Sequence, residues 1–87
     1  MKKEPIEAEV RILKRIAELH SSKGVKQWDA YAPLIGECGK DTFLWHCVQN
    51  LVAEKYLSRE KLGNRVYLKL TKKGRRFLEA QANGGIL

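Results

Sequence analysis

The stretch Leu51–Glu79, LVAEKYLSREKLGNRVYLKLTKKGRRFLE, decides the fold. Gly63-Asn64 stands midway between two six-residue runs, Leu57–Leu62 and Arg65–Leu70. Glycine at the first central position of a two-residue loop is what a type II′ hairpin turn prefers. That turn predicts an antiparallel pair with Leu57 opposite Leu70, Arg59 opposite Leu68 and Lys61 opposite Val66 on one face. The other face pairs Ser58 with Lys69, Glu60 with Tyr67 and Leu62 with Arg65. The base of the hairpin is apolar and suits docking on a core, while the tip, with Lys61, Asn64 and Arg65, is charged and projects. Thr71 is a good N-cap for a final helix from Lys72 to about Gln81 that buries Phe77 and Leu78. Asn83-Gly84-Gly85 are expected to fray.

Upstream of the hairpin, Asp41 is the predicted N-cap of a helix over 41–56. Its apolar side is Leu44, Cys47, Val48 and Leu51. At 100° per residue, Thr42, His46, Gln49 and Ala53 point the opposite way, with Phe43 and Trp45 on the flanks. A shorter helix is predicted over 28–37, with Trp28, Ala32 and Ile35 on one face and Tyr31 beside them. Pro33 must lie in its first turn or kink it. Gly36 and Gly39 bracket a turn. Val25-Lys26-Gln27 allows no more than a minimal strand. The first helix is predicted over 5–22, with Pro5 at its first position and Glu7 and Glu9 at the positive end of the dipole. Ile6, Val10, Leu13 and Ala17 follow helical spacing, and Ile12, Ile16 and Leu19 widen the stripe. Gly24 is a plausible C′ residue.

The 87 residues allow one small domain, 1–87, and a formal charge of +7. That charge is uneven. Residues 1–44 hold eight basic and seven acidic side chains, whereas 45–87 hold nine and three. All nine of the latter lie within 55–76, against a single acid, Glu60. A one-sided basic cluster is the footprint of a polyanion-binding face. No apolar stretch reaches the roughly 18–20 residues of a membrane span, and no leader-like run follows Lys2 and Lys3. These features predict a soluble cytoplasmic protein with no membrane partner. No acid–base or nucleophile constellation stands out, so no enzyme and no cofactor are expected.

The order helix, short strand, helix, turn, helix, hairpin, helix resembles an α+β winged helix-turn-helix domain. In such a domain a three-helix core carries a β-hairpin wing (57–70) and a C-terminal helix. Leu51–Glu60 is similar to the end of a recognition helix entering the first wing strand. Arg65–Glu79 is similar to a second wing strand followed by an LT-x-x-G helix start. Both are common in MarR-like and PadR-like regulators, and minimal winged-helix proteins of archaea and their viruses look alike. The resemblance covers roughly 9–80. It implies a small transcriptional regulator that binds double-stranded DNA as a homodimer, with the helix 41–56 in the major groove and the wing on phosphates or the minor groove. The implied reading helix presents Lys40, Thr42, Trp45, His46 and Gln49. Gln49 suits an adenine edge and His46 a guanine acceptor. The implied wing contacts are Arg59, Lys61, Asn64 and Arg65. Lys72 and Lys73, with Arg75 and Arg76, are implied phosphate contacts. MarR-like proteins with ligand pockets dimerise through long extra helices, for which this chain has little room, so no small-molecule effector is expected.

One departure stands out. From Thr42 to Ala53 there are twelve residues and no Asp, Glu, Lys or Arg. An uncharged face with Phe43, Trp45 and Val52 also suits a protein partner, so a winged-helix protein-interaction module is the alternative. Trp45 and Phe43 fit a core edge as well as a base-stacking role. Trp28 and Tyr31 are expected to be structural. Cys38 and Cys47 lack the spacing of a zinc site. Buried thiols are the default, and an intermolecular disulfide through the more exposed Cys38 is the alternative.

Overall fold

The computed structural model describes residues 5–19 and 24–84, with side chains as far as Gln81. Four α-helices and a three-stranded antiparallel sheet form an α+β fold. The chain runs α1 (Glu7–Glu18), β1 (Val25–Lys26), α2 (Gln27–Tyr31), a 3₁₀ turn (Ala32–Leu34), α3 (Asp41–Ala53), β2 (Leu57–Leu62), β3 (Arg65–Leu70) and α4 (Lys72–Gly84).

Helix α1 starts later than its proline suggests. The Glu9 Oε1 accepts the Ile6 N–H at 2.9 Å. This is half of a capping box and makes Ile6 the N-cap, with Pro5 outside the helix. The helix ends at Glu18, and the predicted residues 20–22 lie outside those described. Its buried face is Ala8, Ile12, Leu13 and Ile16, while Ile6, Ala17 and Leu19 are exposed. Gly24 does not cap α1. It has φ +92°, directly before β1, and a Cβ there would meet the Leu68 carbonyl oxygen at 2.9 Å.

The second predicted helix is shorter and rotated. Regular α structure stops at Tyr31 and tightens into the 3₁₀ turn that contains Pro33. The missing N–H of Pro33 and its ring explain the break. Ala30, Tyr31 and Leu34 turn inward, whereas Trp28 and Ile35 are 55% and 37% exposed. Trp28 is therefore largely exposed, and its ring meets that of Tyr31 edge-on at 5.5 Å. A tight loop follows, closed by Gly36 N–H to the Gly39 carbonyl at 2.8 Å and by Cys38 N–H to the Leu34 carbonyl at 2.9 Å.

Helix α3 has Lys40 rather than Asp41 as its N-cap, and it stops at Ala53 rather than 56. Its end is a Schellman motif: Tyr56 N–H reaches the Leu51 carbonyl and Lys55 N–H the Val52 carbonyl. Lys55 takes the left-handed position, φ +69°. The four residues of its predicted apolar side, Leu44, Cys47, Val48 and Leu51, are all buried.

The hairpin has the predicted register at all six pairs, from Leu57–Leu70 to Leu62–Arg65. Gly63 alone of the turn pair has positive φ, +63°. The minimal strand β1 adds to β3 through Val25–Leu68 and Lys26–Tyr67, giving the order β1-β3-β2. Leu57 and Leu68 anchor the base of the hairpin in the core with Ile12, Leu13, Leu44 and Leu51. Helix α4 continues to Gly84, past the predicted end and through part of the segment expected to fray. Phe77 and Leu78 pack on the core half-buried.

Candidate nucleic-acid interface

The register of the hairpin sorts its charges. Arg59 and Lys61 share the face that carries Leu57 and Leu68 at the base, while Arg65 and Lys69 lie on the other face. All four are exposed, as is Asn64 at the tip. Lys72, Arg75 and Arg76 are exposed on α4. Among the described residues the only ion pair is Arg11–Glu37, 3.6 Å, between α1 and the loop before α3. Among the described residues, the basic side chains of the hairpin and of α4 therefore have no carboxylate partner.

Helix α3 lies beside this hairpin with an exposed polar side. Lys40 is exposed at its N-cap, and Thr42 and His46 are exposed on the helix. Trp45 is 42% exposed, and its ring meets that of His46 edge-on at 5.2 Å. Phe43, also 42% exposed, leans on Gly39, where a Cβ would collide with its ring.

Two predicted contact residues are occupied elsewhere. Gln49 is half-buried, and its Oε1 accepts Arg59 Nη1 at 2.8 Å. Its Nε2 is buried with no hydrogen-bond partner. The amide is thus turned to the hairpin. Lys73 donates to the Glu54 carbonyl at 2.7 Å and lies 4.4 Å from the centroid of the Tyr56 ring. It closes the C-terminal end of α3, where a cation meets the negative end of the dipole. Neither role has a signal in local spacing, because each joins residues 10 or 19 positions apart.

Thr71 and Gly74 explain the LT-x-x-G element. The Thr71 Oγ1 accepts the Gly74 N–H at 3.1 Å and lies within donating distance of the Lys55 and Tyr56 carbonyls. At Gly74 the Tyr56 carbonyl oxygen occupies the space a Cβ would need. A threonine cap and a missing side chain together let α4 start against the exit of α3.

On α2, the Tyr31 hydroxyl donates to the Asp41 carboxylate at the start of α3. Burial, then the Asp41 charge and this hydrogen bond, push the Tyr31 phenol above its ordinary value. Cys38 is half-buried and Cys47 is 2% exposed, and the two are not joined to each other. Among the described residues no three His, Cys, Asp or Glu side chains group as metal ligands. No described helix is long and apolar enough to cross a membrane.

The chain matches no protein-family model and no curated protein. What the geometry offers is an uncharged helix face with a projecting basic hairpin beside it, while the basic helix α4 packs on α1 and β3. Such a surface attracts a polyanion by charge and presents polar and aromatic groups next to its cationic hairpin.

Proposed function

We propose that this chain is a winged-helix protein that binds double-stranded DNA, a small transcriptional regulator acting as a homodimer. In this reading α3 enters the major groove, the hairpin is the wing, and Lys72, Arg75 and Arg76 face phosphates. The observation that carries it is the set of exposed hairpin cations, with no carboxylate partner among the described residues, beside the exposed face of α3. Phosphate neutralisation supplies most of the affinity, because each contact releases condensed counterions. Base reading rests on Thr42, Trp45 and His46, an uncharged set. The activity is binding, with no catalytic step assigned.

The test is duplex binding titrated against salt. Binding should weaken steeply between about 50 and 200 mM salt. Replacing Arg59, Lys61 and Arg65 together with alanine should flatten the log–log slope by about 2–3. An unchanged affinity in this triple variant at low salt rejects the wing assignment. Selecting duplexes from a random pool, with sedimentation in and out of reductant, tests the rest. A palindromic motif supports a DNA-reading dimer, and a dimer lost on reduction implicates Cys38.

A second reading is favoured by the exposed Trp28, Phe43 and Trp45. These large aromatics suit a protein partner. Recovery of one partner protein, with no duplex bound at about 50 mM salt, would favour an interaction module.

A further inference from the structure

The contact between Gln49 and Arg59 joins the middle of α3 to the first hairpin strand, and it places a guanidinium beside a helix that has no cation of its own. Arg59 Nη1 donates to Gln49 Oε1 at 2.8 Å. Arginine carries five N–H donors, so four remain for another acceptor, and the side chain is exposed. Neither end of the Gln49 amide is open to a base: Oε1 accepts from Arg59, and Nε2 is buried. An amide that reads adenine needs both its oxygen and its nitrogen free for the base edge. This one has neither.

We propose that Gln49 is a positioning residue, which holds Arg59 against α3 so that its free N–H groups meet a backbone phosphate beside the groove. The helix lacks a cation from Thr42 to Ala53, and the hairpin lends it one. The contact is directional, because only the amide oxygen accepts from the guanidinium and the opposite flip would oppose two donors. The Arg59–Leu68 pairing sets the height of the arginine on the hairpin, and Gln49 sets its direction. The inference rests on the DNA-binding reading and names the division of labour within that surface.

A double-mutant cycle tests it. Gln49→Met keeps the volume of the side chain and removes the acceptor. Duplex affinity should fall about threefold in Gln49→Met and about tenfold in Arg59→Ala, and Gln49→Met should cost nothing further when Arg59 is already alanine. Gln49→Glu turns the contact into an ion pair and places its second oxygen where Nε2 is buried. Its affinity should fall, with the salt slope less steep by about 0.9, the value of one phosphate contact. These losses should be uniform over duplex sequences, since a phosphate carries no base identity. A Gln49→Met variant that changes the selected base at one position, or that costs the same with and without Arg59, overturns the proposal. So does a Gln49→Glu variant with unaltered affinity and slope. If the unsubstituted protein binds no duplex at low salt, the DNA-binding reading itself falls and the proposal with it, a result distinct from failure of the cycle alone.

Discussion

Gly74 is where one hydrogen atom in place of a methyl group controls how α4 starts. The Tyr56 carbonyl fills the position of its absent Cβ. Backbone cannot swing aside as a side chain can, so Gly74→Ala should cost about 2–3 kcal/mol, read as a lower denaturant midpoint at unchanged slope. Thr71→Ala should lose about 1 kcal/mol through the cap alone. Lys55 is the opposite case. It holds φ +69° at the end of α3, a left-handed conformation that costs a side-chain-bearing residue about 1–2 kcal/mol. Glycine relieves that strain and loses about 0.5–1 kcal/mol in unfolded-chain entropy. Lys55→Gly should therefore stabilise by about 0.5–1 kcal/mol, measured in the same unfolding experiment. Nothing in the run Glu54-Lys55-Tyr56 announces this. A lysine reads as surface charge, and only the Schellman bonds reveal its backbone role.

At the scale of elements, the hairpin was legible to the residue and the second helix was not. A two-residue turn with glycine first leaves one register, and the side-chain period of two then assigns every face. Helix α2 has five residues, too few for periodicity to orient it. Its rotation, which exposes Trp28 and buries Tyr31, is set by contacts from elsewhere. Arg15 Nε on α1 donates to the Asp29 carbonyl at 2.8 Å, and Tyr31 bonds Asp41 on α3. Burial of the Tyr31 phenol, with the Asp41 charge beside it, makes this junction sensitive to alkali. Its phenol is raised above 10.0 in the fold, so the native state holds its proton more tightly than the unfolded chain. The stabilisation is fully present below pH 10 and is lost as pH rises through the folded-state value. Tyr31→Phe should cost about 1–2 kcal/mol near neutrality. Urea midpoints followed from pH 8 to 11 should show the advantage of the native tyrosine shrinking only at the alkaline end.

Across the whole molecule, charge is divided between the two halves of the sequence, whereas in the fold α4 packs on α1. The balanced first half supplies α1, where Arg11 is paired with Glu37, and the basic second half supplies the hairpin and α4. In the proposed function no cation of α1 contacts DNA, and Arg11 is held by Glu37. Arg11→Ala should leave duplex affinity within about twofold near 100 mM salt, since screening confines surface charges to about 10 Å. The Arg59, Lys61 and Arg65 variant, measured alongside, should lose far more. Equal losses from both variants would mean that net charge alone drives binding.

The sequence by itself determined the element order, the hairpin register, the buried side of α3 and the placement of the basic cluster. These follow from periodicity, turn chemistry and composition, which are local. Tertiary structure alone decided that Gln49 faces Arg59, that Lys73 closes α3, that Trp28 is exposed and that Gly74 touches Tyr56. Each of these depends on which backbone segments lie side by side after folding. Hydrogen bonds between distant residues leave no periodic trace, so the basic segment was visible as a total long before its individual side chains could be told apart.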